Sequence, residues 1–393
     1  MSRRKVKVGA GAPLVSVFSG MRDPRSTKSR KHPLVNVVII AVCAVICGAD
    51  SWVAIEDWGK TKEEWLSGFL DMSGGVPSHD TFGRVFSILS PTAFRAAFTQ
   101  WVQGLDVCVE GRVVAIDGKT LRRSHDRGRQ RGAIHMVNAW CTSLGVSLGQ
   151  VTTAEKSNEI TAIPELLDQL MLDGAIVTID AMGCQKDIAA KIRERGADYL
   201  LAVKNNHRTL LSDIQARFDT VLAKEVPIKA LLMASSSERG HGRQDVRNTY
   251  VLPVPKSAHG RQDWKDFRSI VMVESLRTID GKTSCNHRFY ISSLTPRNAQ
   301  RFHDAARAHW GVENGLHWVL DIAFREDESR VRIGYAAENF GRLRQIALNL
   351  LKQEKTAKLG IKNKRLRAGW DEAYLRKLIA LQRVESGPRE ANG

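Results

Sequence analysis

Three short stretches of the sequence each centre on one acidic residue and contain residue types suited to metal-dependent chemistry. Two of them, VVAIDGK around Asp117 and AIVTIDAMG around Asp180, are apolar, β-branched runs that reach an aspartate. The third, HWGVEN around Glu313, lies within a helical pattern. A carboxylate at the end of a buried strand is costly unless a cation or many hydrogen bonds receive it. The pattern therefore favours a divalent-metal site.

The elements that precede and separate these acids predict how they are positioned. Strands and helices alternate from residue 111 onward in the order β-β-β-α-β-α-β-α. The predicted strands cover residues 113–117, 134–141, 146–152, 175–180 and 199–203. This order is that of a ribonuclease-H-like mixed five-stranded sheet, in which the ends of the first and fourth strands lie side by side. We therefore expect Asp117 and Asp180 to meet.

The remainder of the chain divides into regions of different composition, and the predicted fold class is α/β. The predicted regions are a basic arm (1–31), an N-terminal helical domain for DNA binding or assembly (32–106), the first part of the catalytic core (111–224), an inserted β-rich subdomain (225–296), the last core helices with the third acid (297–352) and a basic C-terminal tail (353–393). The arm carries nine Lys and Arg residues against one acid, which favours contact with DNA.

Composition narrows the class of partner. The 393 residues carry 59 basic and 42 acidic side chains, a net charge of +17, which favours a polyanion because neutralised phosphates release counterions. The six cysteines form no C-x-x-C pair and are typical of a reducing compartment. The longest apolar run, Val37–Gly48, is shorter than the roughly 20 residues needed to span a bilayer. We expect a cytoplasmic protein with no membrane association.

Carboxylates that crowd together repel one another unless divalent cations compensate their charge. Mg²⁺ suits such a site because it binds carboxylates, water and phosphate oxygens. Two such ions about 4 Å apart can clamp an in-line displacement at phosphorus, and we expect Mn²⁺ to be able to replace them. The identity of the third acid stays open at this point. Glu313 has these acidic neighbours: Asp304, Asp321, Glu326, Asp327 and Glu328.

A zinc site is the rival interpretation of the third stretch, because residues 309, 313, 317 and 321 fall on one helix face. His309 and His317 are eight residues apart, roughly 12 Å along a regular helix, so both cannot bind one zinc ion. We interpret the two histidines as groups that contact DNA phosphates or support the metal ligands, and otherwise as packing residues. Trp310 and Trp318 are candidates either for stacking on a base or for the core.

Several basic residues are candidates for holding DNA. Lys119, Arg122 and Arg123 follow the first acid, and Lys204 ends the fifth predicted strand at the same edge of the sheet as the aspartates. In the inserted region, Arg239 and Arg243 flank glycines, which suits close contact with phosphates. The alternative is that these side chains are simply solvated.

The ordered motifs along the chain resemble DDE-type transposases of bacterial insertion sequences, in particular the H-repeat-associated group. The resembling stretches are DPR (23–25), HPL (32–34), GADSW (48–52), PSHDT (77–81), AIDGK (115–119), TIDAMGCQK (178–186), ADYLLAVK (197–204) and HWGVENGLHWVLD (309–321). They extend over nearly the whole chain.

The resemblance implies that Asp117, Asp180 and Glu313 form the metal-binding catalytic triad. Related transposases carry a tyrosine, an arginine and a lysine around the glutamate. Ala306, His309 and Leu320 occupy those places here, so these DNA-holding roles do not carry over. Arg307 is the candidate substitute.

The resemblance further implies a nucleoid-associated bacterial enzyme that binds terminal inverted repeats, cleaves the DNA there and joins the 3′-hydroxyls to target DNA. Pairing two ends implies at least a dimer on DNA. The alternatives are a nuclease of the same fold without strand transfer, or a DNA-binding protein whose site has decayed.

Overall fold

A nine-stranded mixed sheet runs through the computed structural model, which describes residues 12–105, 107–125, 132–153, 159–223, 230–240, 242–255, 258 and 260–379. The strands are β1 (Val113–Thr120), β2 (His135–Cys141), β3 (Val146–Thr153), β4 (Ile176–Ile179), β5 (Asp198–Val203), β6 (Leu232–Gly240), β7 (Arg243–Pro253), β8 (Ser269–Ile279) and β9 (Lys282–Ser292). Their order across the sheet is β3-β2-β1-β4-β5-β9-β8-β7-β6. Strand β1 is antiparallel to β2 and parallel to β4, so the sheet is mixed.

The expected sheet of five strands is wrong in its strand count, because the strands of the β-rich insertion join the same sheet. Strand β9 pairs antiparallel with β5, from Leu200↔Ser292 to Val203↔Phe289, so β6–β9 extend the sheet of β1–β5. An unpaired β5 would expose a row of backbone donors and acceptors, which the buried end of β9 satisfies. Strand periodicity identifies strands but not their partners, and the polar β6 (LMASSSERG) was missed for lack of an apolar pattern.

Fourteen α-helices occur in the described part of the chain. They are α1 (Ala12–Ser19), α2 (Leu34–Ile46), α3 (Trp52–Thr61), α4 (Glu63–Ser67), α5 (His79–Ile88), α6 (Pro91–Gly104), α7 (Glu159–Asp168), α8 (Lys186–Glu194), α9 (Arg208–Leu222), α10 (Ala299–His309), α11 (Trp318–Phe324), α12 (Ala336–Gln353), α13 (Ile361–Trp370) and α14 (Glu372–Ile379). Among them, α10 and α12 pack on one face of the core strands and α7 on the other.

Helix α12 joins the N-terminal helices to the sheet. Nearly all of its 18 residues are buried, and α2, α5 and α6 pack against it. Its polar side chains face specific partners: Gln345 Nε2 donates to Asn138 Oδ1 on β2 at 2.5 Å, and Asn349 Nδ2 donates to the Ser147 carbonyl on β3 at 2.9 Å. The N-terminal helices therefore share one hydrophobic core with the sheet.

The apolar run that the sequence places after His32 forms α2. Its residues from Asn36 to Ile46 are all buried among other helices, which explains why it lacks a polar face. Within the described part of the chain, no helix has the length and apolarity needed to cross a membrane.

The expected basic C-terminal tail is wrong over residues 361–379. This part forms α13 and α14, and Lys364 and Arg365 are buried with relative exposures of 6% and 5%. Glu354 is also buried and accepts hydrogen bonds from the backbone of Thr356 and the hydroxyl of Tyr374. Charge alone predicted a basic tail, solvated or in contact with DNA, because the sequence does not show the partners that these buried charges find in the fold. Residues 1–11 of the predicted arm and 380–393 of the predicted tail lie outside the described residues.

Candidate active site

Two parallel strands bring Asp117 and Asp180 to neighbouring positions. Strands β1 and β4 are in register from Val113↔Ile176 to Ile116↔Ile179, so each aspartate is the next residue on its strand. Neighbouring strands lie roughly 4.8 Å apart, which sets the separation of the two backbones. The strand residues before both acids are largely buried, whereas both aspartates are partly exposed. The loop after β4 also orients Asp180, whose Oδ1 accepts from Met182 N at 3.0 Å.

Glu313 begins a π turn, Glu313–His317, that connects the helical segment after α10 to α11. π turns within helices are rare and often occur at functional sites. Gly311 and Gly315 let this segment approach β2, because a Cβ on Gly311 would overlap Thr142 and one on Gly315 would lie 3.1 Å from Trp140 Nε1. The close packing fixes the turn against the sheet beside Asp117.

Asp117, Glu313 and His317 form a cluster in which one ligand atom from each side chain lies within 4.8 Å of the others. His317 is buried, and its Nε2 lies 3.3 Å from Asp117 Oδ2. Glu313 is exposed, so the cluster opens to solvent on its side. Of the two histidines weighed from the sequence, His317 joins this cluster, whereas His309 Nδ1 lies 3.1 Å from the Thr178 hydroxyl on β4.

The two histidines lower the pKa of Asp117. Burial raises the pKa of Asp117, but the contact with His317 and the charges of His317 and His309 outweigh it, so the pKa lies below its ordinary value. Burial lowers the pKa of His309, although Asp117 and Asp180 oppose this effect. The site therefore keeps Asp117 as a carboxylate at neutral pH.

Lys119 is not a free cation. Its side chain is only 13% exposed, and its ammonium forms ion pairs with Asp321, with Glu326 at 3.2 Å and with Asp327 at 3.9 Å. Three of the acids that competed with Glu313 thus surround Lys119 on β1. Of the other two competitors, Glu328 pairs with Arg325 and Asp304 accepts from Gln300. These contacts tie α11 and the turn after it to the strand that carries Asp117.

The other predicted DNA-holding residues differ in their surroundings. Arg122 is exposed and lies 3.3 Å from Asp327, and Arg123 is exposed with its carbonyl accepting from Arg332. Lys204 is exposed just beyond β5, next to a loop in which Asn206 Nδ2 donates to the Ala181 carbonyl at 2.6 Å. That bond joins the Lys204 loop to the loop after Asp180.

A groove of about 550 Å³ adjoins the π turn and lies between α10 and strands β7–β9. It reaches Asn314, the neighbour of Glu313, and four arginines line it: Arg243, Arg247, Arg288 and Arg307. Arg243 pairs with Asp245 at 3.1 Å, and Arg307 pairs with Glu238. Arg239 is exposed near the tip of the β6–β7 hairpin.

Arg288 is a groove residue that the sequence did not single out. Its guanidinium lies 4.4 Å from the ring centre of Trp310, which is half exposed, and it has no acidic partner within 4 Å among the described residues. A planar cation on an exposed aromatic ring next to a carboxylate site suits contact with phosphates and bases. No sequence signal marked Arg288, because only strand pairing brings β9 beside α10.

Comparison with known families identifies the class of protein. Residues 110–350 match the family described as "Transposase DDE domain", and residues 15–102 match "DDE_Tnp_1-associated". The chain belongs to the transposases with a DDE domain.

The chain is also similar to bacterial proteins that are described as putative transposases. The chain is 40% identical over 377 residues to the "H repeat-associated putative transposase YhhI" of Escherichia coli (strain K12), covering 93% of this chain and 97% of the relative. It is 42% identical over 371 residues to "Putative transposase YncI" of Escherichia coli O157:H7, covering 93% and 94%. A solved piggyBac transposase synaptic complex with hairpin DNA covers 98% of this chain and 81% of its own, with 11% identity and a TM-score of 0.40.

Proposed function

We propose that this transposase binds the terminal inverted repeats of its own element, cleaves the DNA at the ends and joins the freed 3′-hydroxyls to target DNA. The observation that carries the proposal is that Asp117 and Asp180 each follow the last registered pair of two adjacent parallel strands, with Glu313 beside Asp117. A basic chain with a carboxylate cluster at a sheet edge suits phosphodiester chemistry on a polyanion.

The order β3-β2-β1-β4-β5 supports a ribonuclease-H-like interpretation of the core. In that arrangement β1 is central and β4 is its parallel neighbour, so acids that end both strands share one edge. Strands β6–β9 then occupy the place of the insertion before Glu313, although they extend the same sheet. The two helical segments around the π turn bring the third acid back to that edge.

Asp117, Asp180 and Glu313 are the residues that would hold two Mg²⁺ ions, or Mn²⁺ in their place. Their donor set fits a hard divalent cation, because it consists of carboxylate oxygens, and the pKa of the partly exposed Asp117 is held below its ordinary value. The ring of the buried His317 has its Nε2 3.3 Å from Asp117 Oδ2, whereas its Nδ1 has no hydrogen-bond partner among the described residues. Bound divalent ions would stabilise the negative charge that develops on the phosphate oxygens.

The reaction has two displacements. In the first, a water oxygen bonds to the phosphorus at the element end and gives up a proton to solvent, while the bond from phosphorus to the 3′-oxygen breaks and that oxygen takes up a proton. In the second, the freed 3′-hydroxyl gives up its proton as its oxygen bonds to a target phosphorus, and the target's own 3′-oxygen leaves and takes up a proton. The protein forms no covalent bond to DNA. His317 and Thr178 act as positioning groups, since they hold Asp117 and His309 at the sheet edge.

The DNA would pass from the carboxylate edge into the arginine-lined groove. Trp310 and Asn314, close to Glu313 in sequence, line this groove together with Arg288, and the net charge of +17 favours phosphate binding along such a path. Because transposition pairs two ends, we propose a dimer on DNA, acting in the bacterial cytoplasm at the nucleoid.

A strand-transfer assay with labelled element ends and a target plasmid tests the proposal. Joined products are expected with Mg²⁺ or Mn²⁺. Asp117→Asn should lower both cleavage and joining more than about 100-fold while end binding in a gel-shift assay changes little. Glu328→Gln, an exposed acid paired with Arg325, is the matched control and should retain activity.

Each other outcome contradicts part of the proposal. Cleavage without joining would identify a nuclease, and end binding without cleavage in the unaltered protein would identify a decayed site. Full activity of Asp117→Asn would remove Asp117 from the catalytic group.

A further inference from the structure

A second cluster of metal-ligating side chains lies on the β8–β9 ribbon. His287 is the direct cross-strand partner of Glu274, and Cys285 precedes His287 by two residues on β9. Directly opposed residues, and residues two apart on a strand, project from the same face of a sheet. The three side chains offer a thiol sulfur, an imidazole nitrogen and a carboxylate oxygen that all lie within 4.8 Å of one another.

The separations of these atoms match those around a tetrahedral ion. Cys285 Sγ lies 3.7 Å from His287 Nε2, and that nitrogen lies 3.3 Å from Glu274 Oε1. With zinc–sulfur and zinc–nitrogen or zinc–oxygen bonds of about 2.3 and about 2.0–2.1 Å at tetrahedral angles, the expected separations are about 3.5 and about 3.4 Å. The ligands therefore need little rearrangement to receive an ion.

Hydrogen bonds on the neighbouring strands orient the carboxylate. Asn248 Nδ2 on β7 donates to Glu274 Oε2 at 2.8 Å, and Ser235 on β6 donates to Asn248 Oδ1 at 2.7 Å. Glu274 Oε2 thus already accepts a hydrogen bond, whereas Glu274 Oε1 faces His287. Such outer contacts fix ligand orientation in protein metal sites and strengthen binding.

We propose that Glu274, Cys285 and His287 bind one zinc-type divalent ion per chain. Thiolate and imidazole ligands select Zn²⁺ over Mg²⁺, so the ion differs in kind from those proposed for the carboxylate edge. Cys285 and His287 are exposed, and three protein ligands leave a fourth coordination position open to water. Binding releases the Cys285 thiol proton to the buffer and forms a sulfur–metal bond.

The site is separate from the groove. Strand alternation directs Arg288, between His287 and Phe289, to the opposite face, where it meets Trp310. Phe289, on the His287 face, packs near Phe218 of α9, with ring centres 6.4 Å apart. The ion would therefore join β8 to β9 on the face away from the arginine-lined groove.

Cobalt(II) titration of the full-length, reduced and metal-free protein tests the proposal. We expect one tightly bound Co²⁺ that produces a thiolate-to-metal charge-transfer band, bleached by equimolar Zn²⁺. Cys285→Ser should abolish the band, and His287→Ala should weaken Co²⁺ binding at least about 10-fold. Cys108→Ser, which alters another exposed cysteine, is the matched control and should leave the band unchanged.

The cluster at Asp117 contains no thiol, so the band should persist in Asp117→Asn. Absence of a charge-transfer band in the unaltered protein, or its survival in Cys285→Ser, would overturn the proposal. Zn²⁺ should also raise the melting temperature of the unaltered protein but not that of Cys285→Ser. Equal shifts in both proteins would overturn it as well.

Discussion

Arg365 is the residue whose replacement tests most directly how the C-terminal helices hold the fold. Its guanidinium donates to the Val45 carbonyl near the end of α2 at 2.8 Å, to the Ala323 carbonyl near the end of α11, and to Asp50 at 3.1 Å. It also lies 4.2 Å from the ring centre of Phe324. A cation at two helix C-termini adds donors to carbonyls of the last turns, of which Val45 O otherwise accepts only from the backbone just after α2.

The magnitude follows from what Arg365→Met would leave behind. Methionine retains much of the aliphatic volume, so lost packing is a small part of the effect. The part-buried Ala323 carbonyl would lose its donor, and the Val45 carbonyl would keep only Gly48 N at 3.3 Å, at about 1–3 kcal/mol for each loss. Asp50, which is 28% exposed, can rehydrate, so we expect the free energy of unfolding to fall by about 2–4 kcal/mol.

Urea titration followed by tryptophan fluorescence measures this change. Lys362→Met is the matched control, because Lys362 lies on the same helix but is exposed, and its effect should stay within about 0.5 kcal/mol. Arg365→Lys should recover less than half of the loss, since one ammonium cannot reach all three acceptors. If Arg365→Met were no more destabilising than Lys362→Met, the anchoring role of α13 would be refuted.

Three further predictions concern other parts of the molecule. Gly118→Ala should destabilise the protein by about 2–3 kcal/mol in urea titrations, because the added Cβ would overlap the buried His135 and its partner carboxylate. Glu354→Gln should cost most stability near neutral pH. Burial raises the pKa of Glu354, but its hydrogen bonds outweigh burial and hold that pKa well below 4.5. The carboxylate therefore stabilises the fold above pH 4.5, and this contribution is lost as the pH falls. Arg288→Ala should weaken DNA binding and lower the salt-dependence slope by about 1.

Each of these predictions has a specific outcome that would contradict it. Gly104→Ala, where a Cβ meets nothing within 4 Å, should be nearly neutral, and equal effects at the two glycines would refute the steric argument. For Glu354→Gln, a stability difference that stayed constant from pH 7 to pH 2 would exclude the carboxylate as its cause. For Arg288→Ala, an unchanged salt slope in fluorescence-anisotropy titrations would exclude a phosphate contact.

Local sequence patterns predicted the core strands closely. The apolar runs before Asp117 and Asp180 form β1 and β4, and the predicted strand 199–203 lies within β5. These features follow from short-range periodicity and from the burial of strands on both faces. The π turn at Glu313 could not be predicted, because a single extra residue per turn leaves no distinct apolar spacing.

The sequence by itself determined the alternation of strands and helices, the carboxylates that end two strands, and the net positive charge. The tertiary structure alone decided which charges meet. It surrounds Lys119 with acids, buries Arg365 between helix ends and sets Arg288 beside Trp310. The physical reason is that the apolar periodicity of a segment shows only which face of that helix or strand is buried. The partner that neutralises a charge can lie several hundred residues away in the sequence. The position of α11 beside β1, the pairing of β5 with β9 and the packing of α13 against α2 and α11 specify those partners.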